Sequence, residues 1–77
     1  MENAREKVLE TIGTVFEVDP SEISEETTLS SDLDATSLTR FMLAAMLSEM
    51  IDREVDYATV SSFLTVADVI RFAESNT

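Results

Sequence analysis

Apolar residues recur at three- and four-residue spacing along most of the chain, the signature of helices that bury one face. From about Glu2 to Glu17, Val8, Leu9, Ile12, Val15 and Phe16 form one stripe, with Glu6, Lys7 and Glu10 beside or behind it. Glu2 and Glu6 fall near the positive end of that helix's dipole. Gly13 interrupts the stripe at a cost of about 1 kcal/mol relative to alanine. It either permits a close approach or is simply tolerated. A second apolar segment, Ser37 to about Ile51, follows Thr36, a residue able to cap its free amides. Leu43, Leu47 and Ile51 fall on one side of this helix and Leu38, Phe41, Met42 and Ala45 on the opposite side; its only charges are Arg40 and Glu49. A helix apolar on both sides is either buried all round or offers its second face to a partner. Tyr57 to Ser62 reads as a short helix. Thr65 then reads as the N-cap of a last one, with Asp68 at the third helical position and Val66, Val69, Ile70 and Ala73 as its core stripe, ending near Ser75.

Between the first two long helices lies a connection, Val18 to Thr36. Asp19-Pro20 predicts a capped turn over Pro20 to Ile23. Val18, Ile23, Leu29 and Leu33 are apolar anchors that pin the loop to the core. The expected fold is therefore all-α: a small bundle of three longer helices plus one short helix, with a long loop between the first and second long helices.

Composition narrows the function. The 77 residues make one small domain, 1–77, with a core worth roughly 3–5 kcal/mol unless stapled. Cysteine and histidine are both absent, which removes disulfides, histidine-based catalysis and the usual zinc ligands. Sixteen acids against five bases give a net charge of −11, a surface unsuited to nucleic acid or anionic membrane and suited to basic protein partners. No apolar stretch approaches the ~20 residues of a membrane span and no signal-peptide core opens the chain, so a cytoplasmic location without membrane insertion is expected. Nothing in the sequence gives a firm reason for a homo-oligomer, so a monomer is expected.

Few chemistries remain. Asp32, Asp34 and Thr36 are spaced like the first ligands of a calcium loop. However, Ser37 falls where that loop needs glycine and Leu43 where it needs a bidentate glutamate, so no metal site is expected. Loop carboxylates such as Glu25 and Glu26 read as solvated, and no catalytic residue is expected. Met42, Met46 and Met50 recur every four residues, a stripe that fits ordinary packing better than an acyl-chain cavity. What stands out is DLDATSL, 32–38, which sets the Ser37 hydroxyl at a helix start, where unpaired amides and the dipole favour a phosphate. By position alone such a serine is more often a cap or a solvated residue.

The run DLDATSL resembles the attachment motif of acyl carrier proteins, typically Asp-Leu-Gly-Ala-Asp-Ser-Leu. Asp32, Leu33, Ala35, Ser37 and Leu38 match it. VDPSEISEETTL, 18–29, is similar to that family's first loop and VADVI, 66–70, to its last helix. The resemblance implies that Ser37 carries 4′-phosphopantetheine through a phosphodiester, attached by a phosphopantetheinyl transferase. It also implies that the arm's thiol holds acyl intermediates as thioesters. Such a carrier is no enzyme. It presents cargo to acyl-transferring, condensing or adenylating enzymes of fatty-acid, lipid or polyketide synthesis, through a docking surface here assigned to Asp32, Asp34, Leu38, Phe41, Met42, Ala45 and Glu49.

Two departures qualify the resemblance. Asp34 stands where the family usually has glycine, and Thr36 where it has the aspartate associated with recognition and magnesium during arm transfer. Asp34 is the nearby carboxylate available in its place. The helix after the serine is also poorer in acids than in fatty-acid carriers, which predicts a more apolar docking face unless Phe41 and Met42 belong to the core. Both departures favour a specialised polyketide, peptide or lipid carrier over the housekeeping role. The readings from other classes are an unmodified helical interaction module and a small acidic inhibitor or chaperone for a basic partner.

Overall fold

The computed structural model describes residues 4–76. Four α-helices follow one another: α1 (Ala4–Phe16), α2 (Ser37–Ile51), α3 (Tyr57–Ser61) and α4 (Val66–Ser75), with a 3₁₀ turn at Pro20–Glu22. Among the described residues the extended pairing is a single antiparallel bridge between Thr28 and Thr65. This is the helical bundle expected, with three long helices and one short. The short helix stops at Ser61, one residue early, because Ser62 turns its hydroxyl back onto the Thr59 carbonyl at 2.6 Å. The expected dipole contact of Glu2 lies outside the described residues.

Helix α1 packs against both α2 and α4, and α3 packs on α2. The shared core is made by Val8 and Ile12 of α1, Leu43 and Leu47 of α2, Val60 of α3, and Val66 and Val69 of α4, all fully buried. These are the residues of the helical stripes. The reason is geometric: side chains three and four apart share one face, and one face per helix suffices to close a small bundle.

The long loop is tied down by its anchors. Leu29 and Ile23 are buried, and Val18 and Leu33 pack against the core from its edge. Leu29 donates its amide to the Leu64 carbonyl at 3.1 Å. The carbonyls of Thr27 and Glu25 accept from Val66 and Ala67 at 2.9 and 3.0 Å. The loop thus serves the free amides of α4, and Thr65 completes that end through a capping box with Asp68.

Gly13 has a specific reason. A Cβ there would stand 2.7 Å from the Val18 carbonyl oxygen and 3.1 Å from the Pro20 ring. The chain leaves α1 through Glu17 in the left-handed region (φ 59°) and folds directly back onto the Gly13 backbone, with Val18 N–H donating to Gly13 O at 3.0 Å. Of the two readings of this glycine, close approach is the one the structure bears out.

Candidate functional site

The loop ends by delivering the chain to α2. Asp32 accepts the Thr28 amide at 2.9 Å, while its own amide meets Thr28 Oγ1 and O at 3.1 and 3.2 Å. Asp32 therefore holds the loop's last turn as well as adding a charge. Ala35 N–H donates to Leu29 O at 2.9 Å, fixing the chain just before the helix. Between them Asp34 takes φ 55°, a left-handed conformation that glycine adopts at no steric cost and aspartate tolerates. The usual glycine of the resembling motif has its physical explanation in that angle.

Thr36 is the N-cap of α2. Its Oγ1 accepts from Thr39 N at 3.2 Å, and Thr39 Oγ1 accepts from Thr36 N at 2.8 Å. A threonine replaces the usual glutamate or glutamine of the capping box. This reciprocal partner at Thr39 was not foreseen. Arg40 N–H goes to Thr36 O at 3.0 Å. The amides of Ser37 and Leu38 precede the first intrahelical bond and have no protein acceptor among the described residues.

Ser37 is therefore the first helical residue, exposed, with its Oγ accepting a hydrogen bond from the Tyr57 hydroxyl at 3.3 Å. Tyr57 opens α3, which Asp56 caps by accepting Thr59 N at 2.8 Å. The Tyr57 ring lies against Phe41, with centroids 4.6 Å apart and planes at 38°. The Ser37 hydroxyl, then the Ser61 hydroxyl, hold the Tyr57 phenol below its ordinary ionisation range, against a smaller opposing effect of burial; Arg40 adds a further lowering. Sequence reasoning placed Tyr57 at the start of the short helix but gave it no part in the site. It lies twenty residues from Ser37, and no local pattern marks it.

Leu38, Phe41 and Met42 are 68%, 59% and 41% exposed. The alternative that Phe41 and Met42 belong to the core is ruled out. With Ala45, also exposed, they line the side of α2 facing away from buried Leu43, Leu47 and Ile51. Glu49 is exposed on the same side, about 18 Å along the axis from Ser37 at the α-helical rise. The methionine stripe is split: Met42 lies on the exposed face, whereas Met50 packs against the core and shares with Met46 a shallow groove lined also by Lys7, Glu10 and Thr11 of α1. Leu64, exposed in the α3–α4 connection, was not singled out by the sequence.

The open hydroxyl, the free first-turn amides and the phenol donor beside them fit a phosphate ester at Ser37. No helix of the described residues is long and apolar enough to cross a membrane. Among the described residues no group of three or more acidic side chains is placed to hold a metal ion.

The chain is thus a small helical bundle with an exposed serine at the head of its second long helix. Residues 6–73 match the family described as "Phosphopantetheine attachment site". The chain is 27% identical to an acyl carrier protein of Shigella flexneri over 73 residues, covering 95% of this chain and 94% of that protein. It is 32% identical to an acyl carrier protein of Wolinella succinogenes over 69 residues, covering 90% and 91%. The chain belongs to the acyl carrier protein family, a family of carrier proteins whose attached group is phosphopantetheine.

Proposed function

We propose that Ser37 is the residue that bears the 4′-phosphopantetheine arm, and that residues 1–77 act as one carrier domain presenting acyl-type cargo to partner enzymes in the cytoplasm. The carrying observation is the placement of the Ser37 hydroxyl. It is exposed at the first position of α2, with free amides behind it and the matching motif residues Asp32, Leu33, Ala35 and Leu38 around it. In attachment the Ser37 Oγ attacks the pantetheine-side phosphorus of coenzyme A: the new Oγ–P bond forms as the pyrophosphate P–O bond breaks, adenosine 3′,5′-bisphosphate leaves, and the serine proton passes to the phosphopantetheinyl transferase. The arm supplies a terminal thiol on which the acyl group is held as a thioester. The protein's part is to keep the root of the arm on a rigid helix end and to offer a surface beside it.

That surface is the exposed side of α2: Leu38, Phe41, Met42 and Ala45, with Asp32 and Asp34 before it and Glu49 beyond. Its apolar character supports a specialised polyketide, peptide or lipid carrier, docking enzymes through apolar contact more than through acid–base pairing. The carrier acts as a monomer.

The test is intact mass after incubation with coenzyme A, magnesium and a broad-specificity phosphopantetheinyl transferase. The mass rises by one arm, and Ser37→Ala abolishes the rise. An unmodified interaction module would show no rise in either protein.

A further inference from the structure

The contact between Ser37 and Tyr57 joins two elements at the one hydroxyl assigned to the arm. Tyr57 Oη donates to Ser37 Oγ at 3.3 Å. Its ring is held on Phe41, and its backbone is fixed by the Asp56 cap of α3. Behind that cap, Ser48 clamps the α2–α3 connection: its hydroxyl accepts Val55 N at 2.9 Å and donates to Ala44 O at 2.8 Å. The phenol is thus a preorganised donor aimed at the serine oxygen. Arg40, half-buried, stands one turn along α2 from Ser37, on the neighbouring position of the same helix.

Charge makes this placement consequential. The chain carries a net charge of −11, so a further anion on Ser37 is opposed by the field of the whole molecule. Arg5 is paired with Glu25, Arg71 with Asp68, and Arg53 bonds Asn76. Arg40 is the cation of α2 itself. A phenol on the serine oxygen and a guanidinium borne one helical turn away are the donor types that a phosphodiester accepts.

Resting on the assignment of the arm to Ser37, we propose that Tyr57 and Arg40 form a two-point clamp that binds the phosphodiester and fixes the root of the arm at the α2–α3 junction. Once the serine oxygen is esterified, the phenol turns from that oxygen to a phosphate oxygen and the guanidinium supplies the opposing charge. Leaving the thiol end free while holding the phosphate end would orient the cargo toward the apolar side of α2.

Tyr57 is the chain's one tyrosine and tryptophan is absent, so ultraviolet titration reads this phenol alone. The holo protein is compared with Ser37→Ala, since both lack the serine hydroxyl proton. The expected result is a higher titration midpoint in the holo protein, together with a ³¹P resonance that moves toward its unfolded-state position in Tyr57→Phe and Arg40→Gln holo proteins. Loading without any change in midpoint, and with one ³¹P position in all three folded proteins, overturns the clamp while leaving the attachment site standing. No mass gain at all overturns both. The titration needs no variant at position 57, so a folding failure of Tyr57→Phe does not rescue the proposal.

Discussion

At the scale of single residues, backbone conformation decides what each position tolerates. Asp34 and Gly13 illustrate opposite cases. Asp34 holds φ 55° without being glycine, so Asp34→Gly is expected to raise stability by several tenths to about 1 kcal/mol, and Asp34→Val to lower it. Urea melts of the two variants check this. Asp34→Asn keeps the left-handed tolerance and removes the charge. If the Asp34 carboxylate replaces the aspartate missing at Thr36, this variant slows arm attachment and alters its magnesium dependence; an unchanged rate would refute that role. Gly13→Ala improves helix propensity yet drives a methyl into the Val18 carbonyl. A net loss of about 1–3 kcal/mol is expected, and a more stable variant would show that the loop yields there.

At the scale of elements, the termini of the helices carry much of the specification. Thr36 and Thr65 form capping boxes, and Asp19 and Asp56 cap shorter turns. Thr36→Ala should cost about 1 kcal/mol and loosen the start of α2, measurable as faster amide exchange at Thr39. Backbone bonds from Leu64, then Thr65, lower the Asp68 pKa beneath its ordinary 3.8, with Arg71 adding to this and burial opposing it. A carboxylate depressed in the folded state adds stability that is present above its unfolded pKa and lost as pH falls through the folded one. Asp19 and Asp56 are shifted the same way, by Ser21 and Thr59. Acid unfolding should therefore steepen below about pH 4, and Asp68→Asn should flatten that limb. A variant with an unaltered acid limb would exclude Asp68 from it. The left-handed C-cap Asp52 was hidden in the sequence, since no glycine marks the end of α2.

For the whole molecule, a small core works against a large charge. Rising sodium chloride should raise the melting temperature by screening like charges, and a salt-indifferent melt would contradict this. Leu43→Ala, at a fully buried position, should cost about 2–5 kcal/mol, enough to unfold much of the population given the small core. Phe41→Asp lies on the open side of α2 and should leave the melt nearly unchanged while weakening capture by a cognate enzyme. That capture should be weakly salt-dependent if the contact is apolar. A steep loss of affinity with salt would instead place acid–base pairing at the centre of docking.

Repeating short-range pattern determined the helices, their core faces, the loop anchors and the hydroxyl at the head of α2. Each of these depends on residues within one or two turns of one another, where period and capping chemistry are read directly. Tertiary structure alone decided that the apolar residues Leu38, Phe41 and Met42 face outward, because a two-sided helix does not announce which side its neighbours cover. It alone brought Tyr57 across twenty residues to the Ser37 oxygen, and it alone gave Gly13 its reason in the carbonyl of a returning loop. Such contacts follow from how packed helices set distant backbone segments against each other, which the linear order of side chains does not encode locally.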